Sequence, residues 1–504
     1  MISLITWFMA YILTAAILLL SAAYIFFTPV YSYFKKRRIP FESGTFPLGS
    51  LWPVFRVQKS YTELMFDMYN KHRGEKFVGF FQFFRKSVLV IDPDLLRNVL
   101  VKDFEYFDGK SLHYNRELEP LTAHLFALDG QEWKALRAKI APAFSSGKLK
   151  GMFQVVLEVG EKLREYTFKT TAENEELECK DLFLRYGLAI IASTAFGIES
   201  DVLSDKSSTF FEMAESITAP TLSAMFRMGL MMYGGNIAKM FNLRILPKES
   251  HEFFFNLAKD TVTFRETHEK TRQDIMQLLM QLLKQEGKNA DEGMSITIEE
   301  LAAQTFVFIL AGYETTSTSM SFFLYEMAMN PEVQARVHAE VDSVEEISYD
   351  TLAGMEYLDM ALDETLRKHV PLGFLSRVCS KDYPVPGTNH IIEKGTDVVI
   401  SVTALHHDPE LFPEPDQFLP ERFSKENKSN IRPFSYMPFG EGPRFCIGLR
   451  LGKLSVKAGL AKLMKQFSIE TTPRTPNPLK YDARTINTVA AGGMWLRLVD
   501  RTKS

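Results

Sequence analysis

One cysteine of the sequence lies in a loop whose composition suits a reactive thiolate. Cys446 belongs to the glycine- and proline-containing run 439–448, and a segment with helical spacing of apolar residues begins at Ile447. Glycine lets backbone amides approach the sulfur, and the positive end of a helix dipole stabilises an anion. Arg444 adds a fixed cation beside the sulfur, suited to a carboxylate in the same site. We therefore expect Cys446 to ionise easily.

Three chemistries are open to such a thiolate: nucleophilic catalysis, zinc binding and axial ligation of haem iron. A zinc site needs further close ligands, and no Cys-x-x-Cys pair or histidine cluster accompanies the loop. A nucleophile needs a nearby base, and the loop holds neither His nor Asp. Haem iron needs one thiolate, with cations for the propionates. For the cysteine alone, an inert buried residue at a helix start is the competing interpretation.

The loop resembles the haem-binding signature of the cytochrome P450 family. The pattern Phe439-x-x-Gly442-x-Arg444-x-Cys446-x-Gly448 matches it at all five positions. The resemblance implies haem b as cofactor, with Cys446 as the axial ligand of the iron and the other four residues around the haem. It also implies a mainly α fold with smaller β-sheets, an α+β class, built around a long central helix.

The sequence predicts that helix between two clear signals. Thr297 and Glu300 form a capping-box pattern, apolar residues follow, and Pro331 ends the segment. A helix of this length would cross the whole molecule.

A motif midway along this helix could handle protons. Ala311 and Gly312 leave room for a bulky neighbour, and the pair Glu314-Thr315 could hold water and pass protons. Alternatively, Thr315 bonds the Ala311 carbonyl and bends the helix; both can hold at once. The run is similar to the family's Ala/Gly-Gly-x-Asp/Glu-Thr motif, which implies that Glu314 and Thr315 are catalytic.

Three further residues are predicted to hold the thiolate loop in place. Glu364 and Arg367 are three apart on one helical face, where they can form an ion pair. The run Pro420-Glu-Arg-Phe423 resembles the family element that brings a second arginine, here Arg422, to the same carboxylate. A buried triad of this kind fixes geometry more than it adds stability.

Other residues are candidates for the haem and the substrate. Trp133 and Arg137 are one helical turn apart and could reach a single anion, although a surface pairing is the default for two such residues. The resemblance makes them, together with Arg377, contacts of the haem propionates. The substrate pocket candidates are Phe107, Phe126, Met225, Ala311, Gly312, Phe374 and Thr488.

The amino terminus predicts a membrane anchor. No charged side chain precedes Lys35, the segment from Ile2 to Phe27 is long enough to span a bilayer, and basic residues follow it at 35–38. An over-long signal peptide is the alternative, but the three cysteines lie far apart and predict no disulfide framework. We predict an anchor over 1–34, a basic and proline-containing linker over 35–55, and one catalytic domain over 56–504. The basic cluster places that domain in the cytosol, and the resemblance implies the endoplasmic reticulum membrane.

A second apolar stretch, 210–246, is rich in methionine and interrupted by Gly234 and Gly235. The glycines argue against a second span. It forms either plain core or a flexible lid that dips into the membrane, and we favour the lid.

Composition and resemblance together define the expected function. A net charge of −4 gives no case for nucleic acid. The resemblance, closest in wording to the insect microsomal detoxifying branch, implies monooxygenation of lipophilic small molecules, xenobiotics such as plant toxins or insecticides. Electrons would come from NADPH through NADPH-cytochrome P450 reductase, with cytochrome b5 as a second candidate donor. Candidate lysines for docking the reductase are Lys134, Lys139, Lys453 and Lys457.

Three alternatives stay open at this level. An endogenous hormone or fatty acid could be the substrate of the same fold. A haem-thiolate isomerase or dehydratase would use a preformed peroxide and no reductase, against which the Glu314-Thr315 pair argues. The third alternative is a non-catalytic, membrane-tethered protein that binds haem or lipid.

Overall fold

The fold is taken from a computed structural model that describes residues 2–110, 112–204, 208–219, 221–269, 272–284 and 296–503. It is mainly helical with small sheets, as predicted. The chain forms two compact units: Met1–Asp108 with Phe374–Ser401, and Gly109–Gly373 with Val402–Ser504.

The elements are numbered in chain order. The helices are α1 (Ile2–Tyr31), α2 (Tyr33–Lys36), α3 (Trp52–Phe55), α4 (Tyr61–Lys71), α5 (Pro93–Arg97), α6 (Gly130–Ile140), α7 (Ser146–Glu173), α8 (Cys179–Ile191), α9 (Thr209–Thr218), α10 (Leu222–Tyr233), α11 (Gly235–Met240), α12 (Lys248–Thr267), α13 (Ile275–Lys284), α14 (Ile298–Met329), α15 (Pro331–Asp342), α16 (Tyr349–Gly354), α17 (Glu356–Lys368), α18 (Val402–His406) and α19 (Leu449–Gln466). The strands are β1 (Phe77–Gln82), β2 (Arg85–Val90), β3 (Leu177–Glu178), β4 (Phe374–Val378), β5 (Tyr383–Pro384), β6 (Ile391–Ile392), β7 (Asp397–Ser401), β8 (Phe467–Thr471) and β9 (Trp495–Asp500).

The smaller unit is built on a sheet with strand order β1-β2-β7-β4. The hairpin β1-β2 is antiparallel and pairs Phe77 with Val90, β2 runs parallel to β7, and β7 runs antiparallel to β4. Aromatic and β-branched residues favour these strands, and every residue of β1 is buried. Part of the predicted linker lies against β1, since Gly79 exchanges hydrogen bonds with Pro40 and Glu42, each at 2.8 Å.

The amino-terminal helix is apolar, and its most apolar stretch is not buried against the rest of the described chain. Within the described ranges, Thr6–Lys36 is the one helical stretch long and apolar enough to cross a membrane, with a mean hydropathy of 2.2 and none of its window buried. This agrees with the predicted position of an anchor.

The central helix α14 lies in the core of the larger unit. Its 32 residues span about 48 Å, and Thr297 and Glu300 form the predicted capping box at its start. Helix α8 packs closely along α14 at Gly187. A Cβ at this position would lie 2.7 Å from the Tyr313 backbone, so the close approach depends on glycine. The predicted boundaries of α14 are confirmed to within a residue.

A second sheet, in the larger unit, has the strand order β3-β9-β8. Gly492 and Gly493 have positive φ angles of 82° and 90°, so the chain turns there and β9 begins only at Trp495.

Helices α9, α10 and α11 form the methionine-rich stretch. Large apolar side chains are exposed on α10, on α11 and in the residue that follows: Phe226, Ile237, Met240 and Phe241. A plain core would not leave such a group of side chains in solvent.

Candidate active site

The thiolate loop is a tight turn that ends at a helix. Gly440 and Gly442 have positive φ angles of 71° and 73°, which only glycine adopts without strain. The Cys446 amide donates to the Phe439 carbonyl at 2.8 Å. Gly448 is the cap residue of α19, so Cys446 lies just before that helix, as the sequence predicts.

The electrostatics of Cys446 differ from the sequence expectation in two respects. Although the residue reaches the surface, burial of the sulfur raises its pKa, so the expected easy ionisation is wrong for the protein alone. The backbone amides of Gly448 and Leu449 oppose that rise, as predicted for a helix start. The cation that opposes it is Arg137, whereas Arg444 has another partner.

The Arg444 side chain packs against α6 and does not lie beside the sulfur of Cys446. Its guanidinium carbon is 4.2 Å from the ring centre of Trp133, and it donates to the Leu128 carbonyl at 2.8 Å and contacts Asp129 at 3.3 Å. Arg137 donates to the Phe445 carbonyl at 2.8 Å, which brings its charge next to Cys446. The structure thus gathers Trp133, Arg137 and Arg444 around the loop.

Near its middle, around Ala311, helix α14 has residues that are accessible to solvent. Ala311 is exposed and Leu310, Gly312 and Thr315 are half-buried, while most of their helical neighbours are buried. Thr315 donates to the Ala311 carbonyl at 2.6 Å, so the local helix bond considered above is present.

The reason for Gly312 is protein packing. A Cβ at this position would lie 2.5 Å from the Ile191 side chain, so the room expected for a bulky neighbour is taken by Ile191. Ala311 alone keeps an open face on this turn.

Glu314 points away from solvent, with 9% exposure. Burial raises the pKa of its carboxyl, while Lys180 and a hydrogen bond from Asn487 oppose the rise. A carboxyl in this environment keeps its proton closer to neutral pH than an exposed one.

The three residues predicted to hold the loop meet in the core. Arg367 binds Glu364 through two bonds of 2.7 and 2.9 Å, and Arg422 approaches the same carboxylate at 3.3 Å. Glu364 and Arg367 have no exposed surface. The Leu419 amide adds a fourth bond to Glu364 at 2.9 Å. This network ties α17 to the segment before the thiolate loop.

Sequence reasoning missed His406, which connects the triad to the loop. Its ring Nδ1 bonds the Arg367 carbonyl at 3.0 Å, and its Nε2 accepts from the Met437 amide at 2.9 Å. Burial lowers its pKa to about 3, so the ring is neutral and can both donate and accept. The sequence signal of this role is weak: His406 ends the short helix α18, which follows the buried strand β7.

We expect His406→Leu to weaken the thiolate loop. The change leaves a buried carbonyl at Arg367 and a buried amide at Met437 without partners, at a cost of about 1–3 kcal/mol each. Haem content and the denaturant midpoint of the holoprotein measure it. His268→Leu is the control, since that exposed histidine bonds only a carbonyl of its own helix. Equal stability of the two variants would contradict the bridging role.

The prediction that Lys457 docks the reductase is wrong, because its side chain is buried. Its exposure is 6%, and its ammonium donates to the Leu352 carbonyl and to Asp359, each at 2.7 Å. Lys453 is paired with Asp363 at 2.5 Å and is partly exposed. Lys134, on the surface, and the half-buried Lys139 stay candidates.

The pocket candidates fall in both units. In the larger unit, Phe126 is 46% exposed, Met225 is half-buried, and Thr488 donates to the Val370 carbonyl at 2.6 Å. In the smaller unit, Phe107 and Phe374 are buried side chains.

Two neighbours explain the burial of these phenylalanines. Phe107 packs edge-on against Tyr383, with ring centres 4.8 Å apart, and Phe374 packs against Tyr61 at 4.6 Å. Arg377, the third predicted propionate contact, is also buried in the smaller unit, on strand β4.

The donor set fits haem better than a bare metal ion. In the part of the chain that the structure describes, no group of three or more His, Cys, Asp or Glu residues could hold a metal. Cys446 instead offers a single thiol beside Arg137. Haem iron requires one such ligand.

Comparisons with known proteins agree with this. A family model described as cytochrome P450 matches residues 43–494. "Probable cytochrome P450 6a13" of Drosophila melanogaster is 39% identical over 474 residues, covering 93% of this chain and 94% of that protein. "Probable cytochrome P450 6a14" of the same fly is 35% identical, covering 95% and 97%. "Cytochrome P450 6A1" of Musca domestica is 36% identical, covering 97% and 98%.

Proposed function

The chain belongs to the cytochrome P450 family, and from this premise we propose that it is a membrane-bound monooxygenase of lipophilic small molecules. Its substrates are xenobiotics such as plant toxins or insecticides. The observation that carries the proposal is the single thiol of Cys446, in a residue that reaches the surface, with two helix-start amides and Arg137 around the sulfur.

Residues of this chain suit the binding of haem b. Cys446 would be the ligand of the iron, and Trp133, Arg137, Arg377 and Arg444 would supply donors and positive charge for the propionates. When bound, the haem supplies binding and reductive activation of dioxygen. As a ligand Cys446 would be a thiolate, so loss of its proton on haem binding would offset the effect of burial on the thiol.

Glu314 and Thr315 serve proton delivery in this proposal. The buried Glu314 carboxyl holds its proton more readily than an exposed one, and Thr315 lies beside it at the accessible turn of α14. The Thr315 hydroxyl donates its proton to the Ala311 carbonyl, and the lone pairs of its oxygen can accept a further hydrogen bond.

We expect Thr315→Ala to retain haem but to release reducing equivalents as peroxide. Loss of a positioned proton-handling group typically costs about 10²–10⁴-fold in rate, so product per NADPH consumed should fall steeply. Thr305→Ala is the matched control, because Thr305 also bonds a carbonyl of its own helix but lies almost three turns earlier. Unchanged coupling in Thr315→Ala would remove that residue from the proton path.

Electrons are proposed to come from NADPH through NADPH-cytochrome P450 reductase, with cytochrome b5 as a second donor. The acidic face of such a partner would meet Lys134, Lys139 and Lys453. We propose attachment to the endoplasmic reticulum membrane, an address suggested by the family; the apolar helix Thr6–Lys36 supports a membrane anchor, and the exposed apolar residues of α10 and α11 would dip into the lipid surface.

The direct test is turnover of a mixed lipophilic panel by membranes that contain the chain and its reductase. The proposal expects NADPH-dependent oxygen uptake and products with one added oxygen atom. Conversion of lipid hydroperoxides at the same rate without reductase would instead support an isomerase or dehydratase. Exclusive turnover of hormones or fatty acids would contradict the xenobiotic assignment.

A further inference from the structure

A buried carboxyl group that the proposed mechanism does not use lies at Glu119, in the segment 113–122 that precedes α6. The residue has no exposed surface. Its Oε2 accepts from the Ile245 amide at 2.7 Å, and its Oε1 accepts from the Leu246 amide at 2.9 Å. These two amides lie at the end of the methionine-rich stretch, between α11 and α12. Glu119 therefore connects that stretch to a segment 126 residues earlier in the chain.

The turn that carries Glu119 is held by its own hydrogen bonds. The Glu119 amide donates to the Asn115 carbonyl at 2.9 Å. The Thr122 hydroxyl donates to the Glu119 carbonyl at 2.7 Å and accepts from the Asn115 amide at 2.9 Å. Just after the turn, the Leu125 amide donates to the side chain of Gln304 on α14 at 2.9 Å. The backbone at Glu119 is therefore fixed next to the central helix.

The methionine-rich stretch has further attachments within the larger unit. At its start, the Tyr313 phenol on α14 binds the Thr218 hydroxyl and donates to the Ala214 carbonyl at 3.3 Å. At its middle, the His113 amide donates to the Met231 carbonyl of α10 at 2.8 Å. The stretch is thus attached at its start, at its middle and, through Glu119, at its end.

The surroundings of Glu119 suit a carboxylate. Burial raises the pKa of its carboxyl, whereas the amides of Ile245 and Leu246 and the charges of Arg244 and Arg227 oppose that rise. A carboxylate presents two acceptor atoms, while a glutamine amide of the same shape presents one acceptor and one donor. Two amide donors at one side chain therefore distinguish glutamate from glutamine at this position.

We propose that Glu119 is a positioning residue that fixes the end of the methionine-rich stretch and thereby sets how readily lipophilic molecules enter and leave the substrate pocket. The inference rests on the proposed function, in which this stretch dips into the lipid surface and the substrates are lipophilic. The pocket candidates lie on the two sides of the connection, Met225 on α10 and Phe126 after the turn of Glu119. Loss of the connection lets these two sides separate more often.

The first test is hydrogen–deuterium exchange of the full-length holoprotein, read by mass spectrometry on peptides that cover 241–247. Glu119→Gln keeps one acceptor and leaves one of the two amides without its partner, and Glu119→Leu leaves both. Because a lost hydrogen bond makes local opening easier, we expect exchange to become faster by about tenfold to a hundredfold, more in the leucine variant. Glu117→Gln, the same change at a nearby exposed position, should exchange like the wild type.

The second test measures the entry of a small molecule directly. The probe is 4-phenylimidazole, a lipophilic nitrogen ligand of haem iron, whose binding is followed by the haem absorption after rapid mixing. In Glu119→Gln we expect its association and its dissociation both to be about tenfold faster, with the haem content unchanged. A merely structural role of Glu119 would lower stability and haem content without raising either rate.

Three results would overturn the inference: unchanged exchange over 241–247 in both Glu119 variants, equal acceleration throughout the chain, or unchanged binding rates of 4-phenylimidazole. Should these variants fail to fold, Thr122→Val removes the hydroxyl that holds the turn, and exchange over 241–247 that stays as slow as in the wild type would overturn it equally.

The exchange measurement separates this inference from the proposed function, because it needs no turnover. Faster exchange over 241–247 in a chain without monooxygenase activity would support the role of Glu119 and contradict the proposed function. Normal activity with unchanged exchange would contradict the role of Glu119 alone.

Discussion

Cys446→Ser is expected to abolish thiolate-ligated haem and reduce monooxygenase activity to background. A serine hydroxyl does not ionise in this loop and cannot replace the sulfur as an electron-donating ligand. The substitution leaves the bonds of the triad and of His406 intact, so the apoprotein should still fold. The measurements are haem content, the absorption spectrum of the reduced carbon monoxide adduct, and product formation with reductase.

The other two cysteines provide matched controls. Burial raises the pKa of Cys179 well above its usual value and the pKa of Cys379 to about 11, so both stay protonated in the core. Cys179→Ala and Cys379→Ala should keep the wild-type spectrum. A wild-type spectrum in Cys446→Ser would contradict the ligand assignment.

The second large effect is expected from Glu364→Ala. Removing one member of a buried ion pair leaves the other charge uncompensated, at a cost of about 3–5 kcal/mol, and here Arg367 loses both of its bonds to the carboxylate. Against typical free energies of unfolding of about 5–15 kcal/mol, this loss is severe. We expect little holoprotein and a lower denaturant midpoint.

Glu356→Ala is the control for this change, because Glu356 begins the same helix and pairs with Lys425 on the surface. Exposed pairs contribute little. Equal stability of Glu356→Ala and Glu364→Ala would show that the triad does not hold the loop.

Features with local causes could be predicted from the sequence. The start of α14 follows from the capping box of Thr297 and Glu300, and its end from Pro331. The position of Cys446 before α19 follows from glycines that allow the turn. In each case the deciding contacts lie within a few residues of one another.

Features that depend on partners distant in the sequence could not be predicted from it. His406 bonds Arg367 and Met437, and no spacing in the sequence relates them. Arg444 turns to Asp129, a residue far along the chain, so Arg137 takes the place beside the sulfur.

Packing and burial set the remaining differences. Gly312 leaves room for the side chain of Ile191, a residue on another helix. Lysine is usually a surface residue, but the Lys457 ammonium binds a carbonyl and a carboxylate inside the protein. The third member of the triad, Arg422, could be named only because its segment resembles a known family element.

The measurement that bears most directly on the account is the absorption spectrum of the purified full-length chain, reduced and exposed to carbon monoxide. Ligation of haem iron by the Cys446 thiolate predicts the long-wavelength band of a thiolate adduct. A colourless protein, or a band typical of imidazole-bound haem, would contradict it.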